Sequence, residues 1–321
     1  MTPAIRRGFV RSLQVAIVAY VLWRAGAELT AQWNAFRARG GTLAPDWPPV
    51  LLATLLVLST YALLAHAWRA LVSAAGTPLP FAEAARIWSV SNLGRYVPGK
   101  VWSIAAMGVL ARRAGLAPVA ATAAALLGTL VNIAAGFAVL LAAGLGVGSA
   151  AVPGAARPAR IIGVLAAIGL LLLPWLLPGL VRLAARLLRR DVTVPELPRR
   201  TLAWVVVANV VAWIGYGLAF RVLALAFFPG SAGNWLGYLA VFTGSYLAGY
   251  LALIVPGGLG VREGAMVAGL VALGLTGSAE AWVLAFASRL WLTVLELVPG
   301  LVFLARDASL RASVSSPDVP S

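Results

Sequence analysis

Two short stretches of this sequence combine a proline–glycine break with basic side chains, a pairing suited to binding anions. The first is Asn92-Leu-Gly-Arg95-Tyr-Val-Pro-Gly-Lys100, in which Val97-Pro98-Gly99 interrupts an apolar run. The second is Val255-Pro-Gly257-Gly258-Leu-Gly260-Val-Arg262-Glu263-Gly264. Proline disfavours helix at the residue before it and glycine permits a turn, so each break predicts one helix ending and another beginning. A helix that starts after such a turn directs unpaired backbone N–H groups and partial positive charge beyond its N-terminus. Arg95 and Lys100 at the first break and Arg262 at the second add full charge in the same places. A phosphate-bearing headgroup suits that chemistry, with the backbone at Gly257, Gly258 and Gly260 as part of its site.

Ionisable residues inside apolar runs point the same way, because they are costly in a bilayer and face a cavity or a partner. Arg289 and Glu296 are seven residues apart in the last apolar run, hence on one helical face but two turns separated. Both can pair with the second break, Arg289 with Glu263 and Glu296 with Arg262. A pair that only fixes helix packing and a role in a transport path are both compatible with that spacing.

Other chemistries find little support. There is no cysteine and one histidine, His66, so disulfides, thiolate metal sites and sites built on several histidines are excluded; His66 reads as a packing or interface residue. Gly258-Leu-Gly260 has the spacing G-x-G-x-x-x-G and follows an apolar run where a dinucleotide site needs a strand. The membrane-proximal acids Glu83, Glu263, Glu280 and Glu296 form no D-x-x-D arrangement, whereas a lipid-phosphate transferase needs paired carboxylates for metal or a positioned base. A non-enzymatic protein without a cofactor is expected.

The elements that must position these residues are membrane helices. Of the 321 residues 61% are hydrophobic and 11% charged, with a mean hydropathy of +0.92; a soluble domain carries about 25% charged residues. Apolar stretches near the ~20 residues that cross a bilayer fall at about 12–29, 49–67, 118–147, 161–180, 201–228, 235–255, 264–275 (short) and 281–304. The fold expected is all-α, a polytopic helical membrane protein of about eight spans including broken or re-entrant helices, in one domain over 1–305. Residues 306–321 read as a disordered tail. Ala25-Gly26-Ala27 offers a signal-peptide cleavage pattern, and Trp23 and Arg24 fit a retained span end.

The net charge of +15 does not point to nucleic acid, because the arginines lie between apolar runs and form no basic stripe. Placing both termini in the cytoplasm puts 18 of the 25 basic residues inside, as the positive-inside rule requires. The loop Arg182–Arg200, with six arginines, also suits anionic lipid headgroups.

The two breaks resemble copies of one unit. Val97-Pro98-Gly99 and Val255-Pro256-Gly257 are 158 residues apart, and Gly115-Leu116 and Gly274-Leu275 are 159 apart. Duplicated halves with broken helices in corresponding positions are a common transporter design. Gly144 and Gly148, and Gly260 and Gly264, also satisfy G-x-x-x-G, whose plain reading is close helix packing.

Pro256-Gly-Gly-Leu-Gly-Val-Arg-Glu-Gly-Ala265, with Asn92–Lys100 and Arg112-Arg113-Ala-Gly-Leu116, resembles the lysylphosphatidylglycerol synthase transmembrane (flippase-like) family over roughly residues 10–305. Lys100-Val101-Trp102 departs from it where a further glycine and often an acid are expected. The resemblance implies a plasma-membrane protein that moves lipids between leaflets, with partners that are lipids of anionic or aminoacylated headgroup, or polyprenyl-linked lipids. Longer relatives carry a C-terminal aminoacyl transferase domain; none is seen here, so lysyl-lipid synthesis is not expected. By resemblance, Arg262, Glu263, Arg95 and Lys100 contact the headgroup. A membrane transferase and an assembly subunit are the alternatives.

Overall fold

The computed structural model describes residues 44–76, 78–96, 102–147, 197–231, 233–252 and 258–315, with individual positions between 23 and 38 and between 161 and 179. Every regular element among them is helical: α1 (Trp47–Ala74), α2 (Phe81–Asn92) continued by a 3-10 turn (Leu93–Tyr96), α3 (Trp102–Arg113), α4 (Pro118–Val147), α5 (Arg199–Phe227), α6 (Trp235–Leu251), α7 (Val261–Ala272) and α8 (Ser278–Ser315). Four of these, α1, α4, α5 and α8, are long and apolar enough to cross a membrane. Each keeps large apolar side chains exposed, among them Leu55, Leu130, Val207 and Leu290, as expected of faces turned to acyl chains. The expected spans at 12–29 and 161–180 lie wholly or partly outside the described residues. The same is true of the two Pro-Gly breaks, and with them Lys100 and Gly257.

Helices α6 and α7 form a hairpin that folds back on itself. A Cβ placed on Gly237 would lie 3.1 Å from Leu275, one on Gly269 3.0 Å from Val241, and one on Gly249 2.8 Å from the Cβ of Arg262. Those three contacts define an antiparallel register along the whole pair. Seventeen and twelve residues give helices of about 25 and 18 Å, short of the ~30 Å hydrocarbon core. Helix α7 thus returns toward the side from which α6 came.

The first hairpin repeats this plan. Helix α3, like α7, has twelve residues, and Trp102 and Val261, the first residues of the two, are 159 apart. Both end in a Schellman motif: Leu116 N–H donates to Ala111 C=O and Gly115 N–H to Arg112 C=O, as Leu275 N–H does to Leu270 and Gly274 N–H to Val271. The glycine in each takes a left-handed φ, +77° at Gly115 and +61° at Gly274, which a side chain would oppose. The tight hairpin crossing recurs as well, since a Cβ on Gly94 would lie 2.8 Å from the backbone nitrogen of Ser103, and Ser103 stands 159 residues before Arg262.

Packing between elements obeys the same exchange of halves. Helix α4 packs on α6 as α8 packs on α2; α3 packs on α4 as α7 packs on α8; and the corresponding helices α1 and α5 pack on each other most extensively. The eight helices described above thus fall into two copies of long helix, hairpin, long helix. Trp213, Phe220, Tyr238 and Phe242 fill the core between α5 and α6, and Leu71, Ile87 and Leu202 fill the other between α1, α2 and α5.

Two expectations change. Helix α8 continues through Ser315, past the boundary expected at 305. It is tied there to α2, because Arg86 donates to Asp307 at 2.6 Å and through Nε to Glu83 at 2.9 Å. The Arg86 hydrogen bond holds the Glu83 carboxyl below its ordinary range. Nor is Gly144 a close-packing glycine among the described residues, where a Cβ on it would meet nothing within 4 Å, and the same is true of Gly264. Gly148 lies outside the described residues.

Candidate functional site

A cavity of about 290 Å³ lies among α1, the α2–α3 hairpin, α4, α5, the α6–α7 hairpin and α8, and both hairpins contribute residues from beside their breaks. From the first come Asn92, Arg95 and Ser103; from the second Tyr246, Gly249 and Arg262; from α8 Arg289 and Glu296. The expected site residues Arg95, Arg262, Arg289 and Glu296 therefore border one space, although 201 residues separate the first from the last.

Arg95 sits on the 3-10 turn. Its Nη1 donates to Glu296 Oε1 at 2.6 Å and to the Tyr246 hydroxyl at 3.3 Å, and its Nη2 to Asn92 Oδ1 at 3.1 Å. This corrects the expected pairing of Glu296 with Arg262. Arg262 instead lies over the rings of Tyr246 and Phe242, with its guanidinium carbon 4.9 and 5.6 Å from their centroids. The reason is the tight hairpin: Gly249 brings α6 against the Cβ of Arg262, and the side chain lies on the aromatic face of its own hairpin. Such cation–π contact stabilises a guanidinium without neutralising it.

Glu263 makes the expected pair with Arg289, whose Nη1 donates to Oε1 at 3.2 Å. Its other oxygen, Oε2, accepts the backbone N–H of Gly260 at 2.6 Å, so the carboxylate reaches back to the α7 N-cap. One of the N–H groups expected to face an external anion is taken by the chain itself. Gly260 has φ +78° and Gly258 φ +65°, and a Cβ on Gly258 would fall 2.5 Å from the carbonyl oxygen of Gly249. These two glycines let the chain leave the break against α6, a structural task distinct from touching a ligand.

Sequence reasoning passed over the polar and aromatic lining from α1, α4 and α5. Asn132 Nδ2 donates to Asn209 Oδ1 at 2.9 Å, Asn209 Nδ2 to Val205 C=O at 2.8 Å, and Trp213 Nε1 to the Asn132 carbonyl at 2.8 Å. All three residues border the cavity with Tyr61, Trp68 and Trp88. The signal was present: Asn132 and Asn209 are amides in otherwise apolar spans, where polar side chains are expensive and face a partner or a cavity.

The family model of the lysylphosphatidylglycerol synthase TM region matches residues 11–300. The chain belongs to that family. No curated protein matches it. Membership in the lysylphosphatidylglycerol synthase TM-region family ties the protein to membrane-lipid biosynthesis or translocation and to interaction with membrane lipids. The four long apolar helices agree with an integral membrane protein.

Proposed function

We propose that this protein is a non-enzymatic lipid translocase, or an accessory to one, of the plasma membrane, with both termini cytoplasmic and the cavity between the hairpins as the headgroup site. The observation that carries the reading is Arg262: 8% exposed, bordering the cavity, and with Nη2 lacking any hydrogen-bond partner among the described residues. Leaving a buried charge uncompensated costs several kcal/mol, and a bound anion supplies the missing partner. A volume of about 290 Å³ is at the small end of ligand pockets. It holds a headgroup while the acyl chains stay in lipid. No Walker motif is present in the sequence, which leaves ion gradients, membrane potential or passive exchange as the driving force.

The test is reconstitution. Purified protein in liposomes carrying headgroup-labelled phospholipid should raise the fraction of label reached by a membrane-impermeant quencher. Rates equal to protein-free liposomes for anionic, aminoacylated and polyprenyl-linked lipids alike would end this reading in favour of an assembly subunit.

A further inference from the structure

The charge and hydrogen-bonding character of the cavity narrows its ligand, given the headgroup-site reading above. Three buried polar atoms of cavity-lining residues have no hydrogen-bond partner among the described residues: the Tyr61 hydroxyl, Trp68 Nε1 and Arg262 Nη2. Their residues are 8%, 5% and 8% exposed. Indole and guanidinium nitrogens only donate, and a phenol donates as readily as it accepts. Among the described residues, no buried side-chain amide or carboxylate oxygen of the lining lacks a partner. Buried donors without acceptors are rare in folded proteins and call for an explanation, and an oxygen-rich ligand provides one.

The ion pairs among the described residues fix the sign of the charge. Among the described residues the lining holds three arginines and one acid, Glu296. Arg95 is paired with Glu296, and Arg289 with Glu263 just behind it, whose second oxygen is held by Gly260 N–H. Arg262 makes no ion pair among the described residues. One positive charge is therefore left over, and both acids are engaged. A cationic headgroup would meet this excess and find no disengaged carboxylate.

We infer that the cavity selects an anionic, oxygen-rich headgroup of the phosphodiester class and rejects aminoacylated, net-cationic headgroups. Arg262 supplies the charge, and Tyr61 and Trp68 donate hydrogen bonds to the ligand oxygens. The second repeat thus carries the charged group, for its counterpart in the first repeat, Ser103, also borders the cavity but is neutral.

The experiment is displacement of a fluorescent phosphatidylglycerol from the full chain in detergent. Competitors are unlabelled phosphatidylglycerol, lysylphosphatidylglycerol, phosphatidylcholine and the acyl-free diester glycerophosphoglycerol. Phosphatidylglycerol should compete at least about tenfold better than the lysyl lipid or phosphatidylcholine, the scale of one charge-assisted contact. Arg262→Gln should erase that preference, while Tyr61→Phe and Trp68→Phe should each weaken phosphatidylglycerol binding by about two- to tenfold. Tyr61→Phe removes only a hydroxyl from a buried side chain, so it carries the test even if Arg262→Gln or Trp68→Phe folds poorly. Lysylphosphatidylglycerol competing as well as phosphatidylglycerol, with Arg262→Gln weakening both, would overturn the charge selection and leave the headgroup site standing. Displacement indifferent to all three substitutions would remove both. Glycerophosphoglycerol matching the lipid would support the diester chemistry and assign it to a soluble ligand.

Discussion

Arg95 and Glu296 meet at 2.6 Å across 201 residues of chain, and their ion pair fastens the end of the first hairpin to the last helix of the second repeat. Asn92 and Tyr246 accept two further guanidinium hydrogens, so the arginine is positioned by three elements.

Breaking that pair should destabilise the fold. Removing one partner of a fully buried pair costs about 3–5 kcal/mol. The Arg95 side chain is 36% exposed and Glu296 14%, which lowers the expectation to about 2 kcal/mol for Arg95→Gln or Glu296→Gln. The double variant should lose less than the two single losses added, because the stranded partner is gone. Denaturant midpoints in detergent measure this, and strictly additive losses would show that the two groups are not coupled.

The duplication carries a topological consequence. The joint between α3 and α4 follows Arg112 and Arg113, whereas no Lys or Arg lies between Glu263 and Ser288 around the joint of α7 and α8. The positive-inside rule predicts the first joint in the cytoplasm and the second outside, which would make the repeats inverted. The sequence has no native cysteine, so Ala117→Cys, Gly230→Cys and Ser278→Cys can be probed in intact cells with an impermeant thiol reagent. Labelling at Gly230 and Ser278 but not Ala117 is expected; equal labelling of Ala117 and Ser278 would mean parallel repeats.

Gly258 at the second hairpin and Gly144 in α4 differ sharply in what they permit. Gly258→Ala must hold a left-handed φ of +65° and push into Gly249. The two penalties together suggest a loss of about 2–4 kcal/mol. Gly144→Ala meets nothing within 4 Å and should be neutral or stabilising by up to about 1 kcal/mol, as alanine is the better helix former. Thermal midpoints of the two variants compare them directly; equal behaviour would refute the crowded hairpin.

What was legible in the sequence was local. Pro-Gly breaks, apolar runs and the Gly-Leu pairs each depend on neighbouring residues, and Glu263 with Arg289 was reachable because both lie near the second break and one following helix. The partner of Glu296 was not legible, because it depends on where the end of the first hairpin docks, a matter of packing between halves. Glu263 is expected as a headgroup contact by resemblance to the family; its reach back to Gly260 follows from its third position in α7, which needs the helix start to within one residue. Tyr61 and Trp68 were invisible as donors because an aromatic in a span is ordinarily packing, and only burial without a partner sets them apart.

Absence of transferase chemistry is testable separately. Proteoliposomes supplied with aminoacyl-tRNA or an activated sugar should return unmodified lipid. Turnover that disappears in Glu263→Gln while the folded yield is kept would overturn the non-enzymatic reading.

The strongest test of the transport reading is charge at the two breaks. Arg262 is the cation without an ion pair among the described residues that border the cavity, and Lys100 follows the first break in sequence. Arg262→Glu should abolish translocation in liposomes. Arg262→Lys should keep part of it, because the charge stays while the planar fork that bonds two phosphate oxygens and stacks on Tyr246 is lost. Lys100→Glu should behave like Arg262→Glu, and Arg189→Glu, in the basic loop, should change the rate much less. A reversed charge in a buried site can also unfold the protein, so size exclusion in detergent must first show monodisperse material for every variant. Folded Arg262→Glu and Lys100→Glu proteins that translocate like wild type would falsify the assignment, leaving the breaks as packing features and moving the search to the Arg289 and Glu296 face of α8.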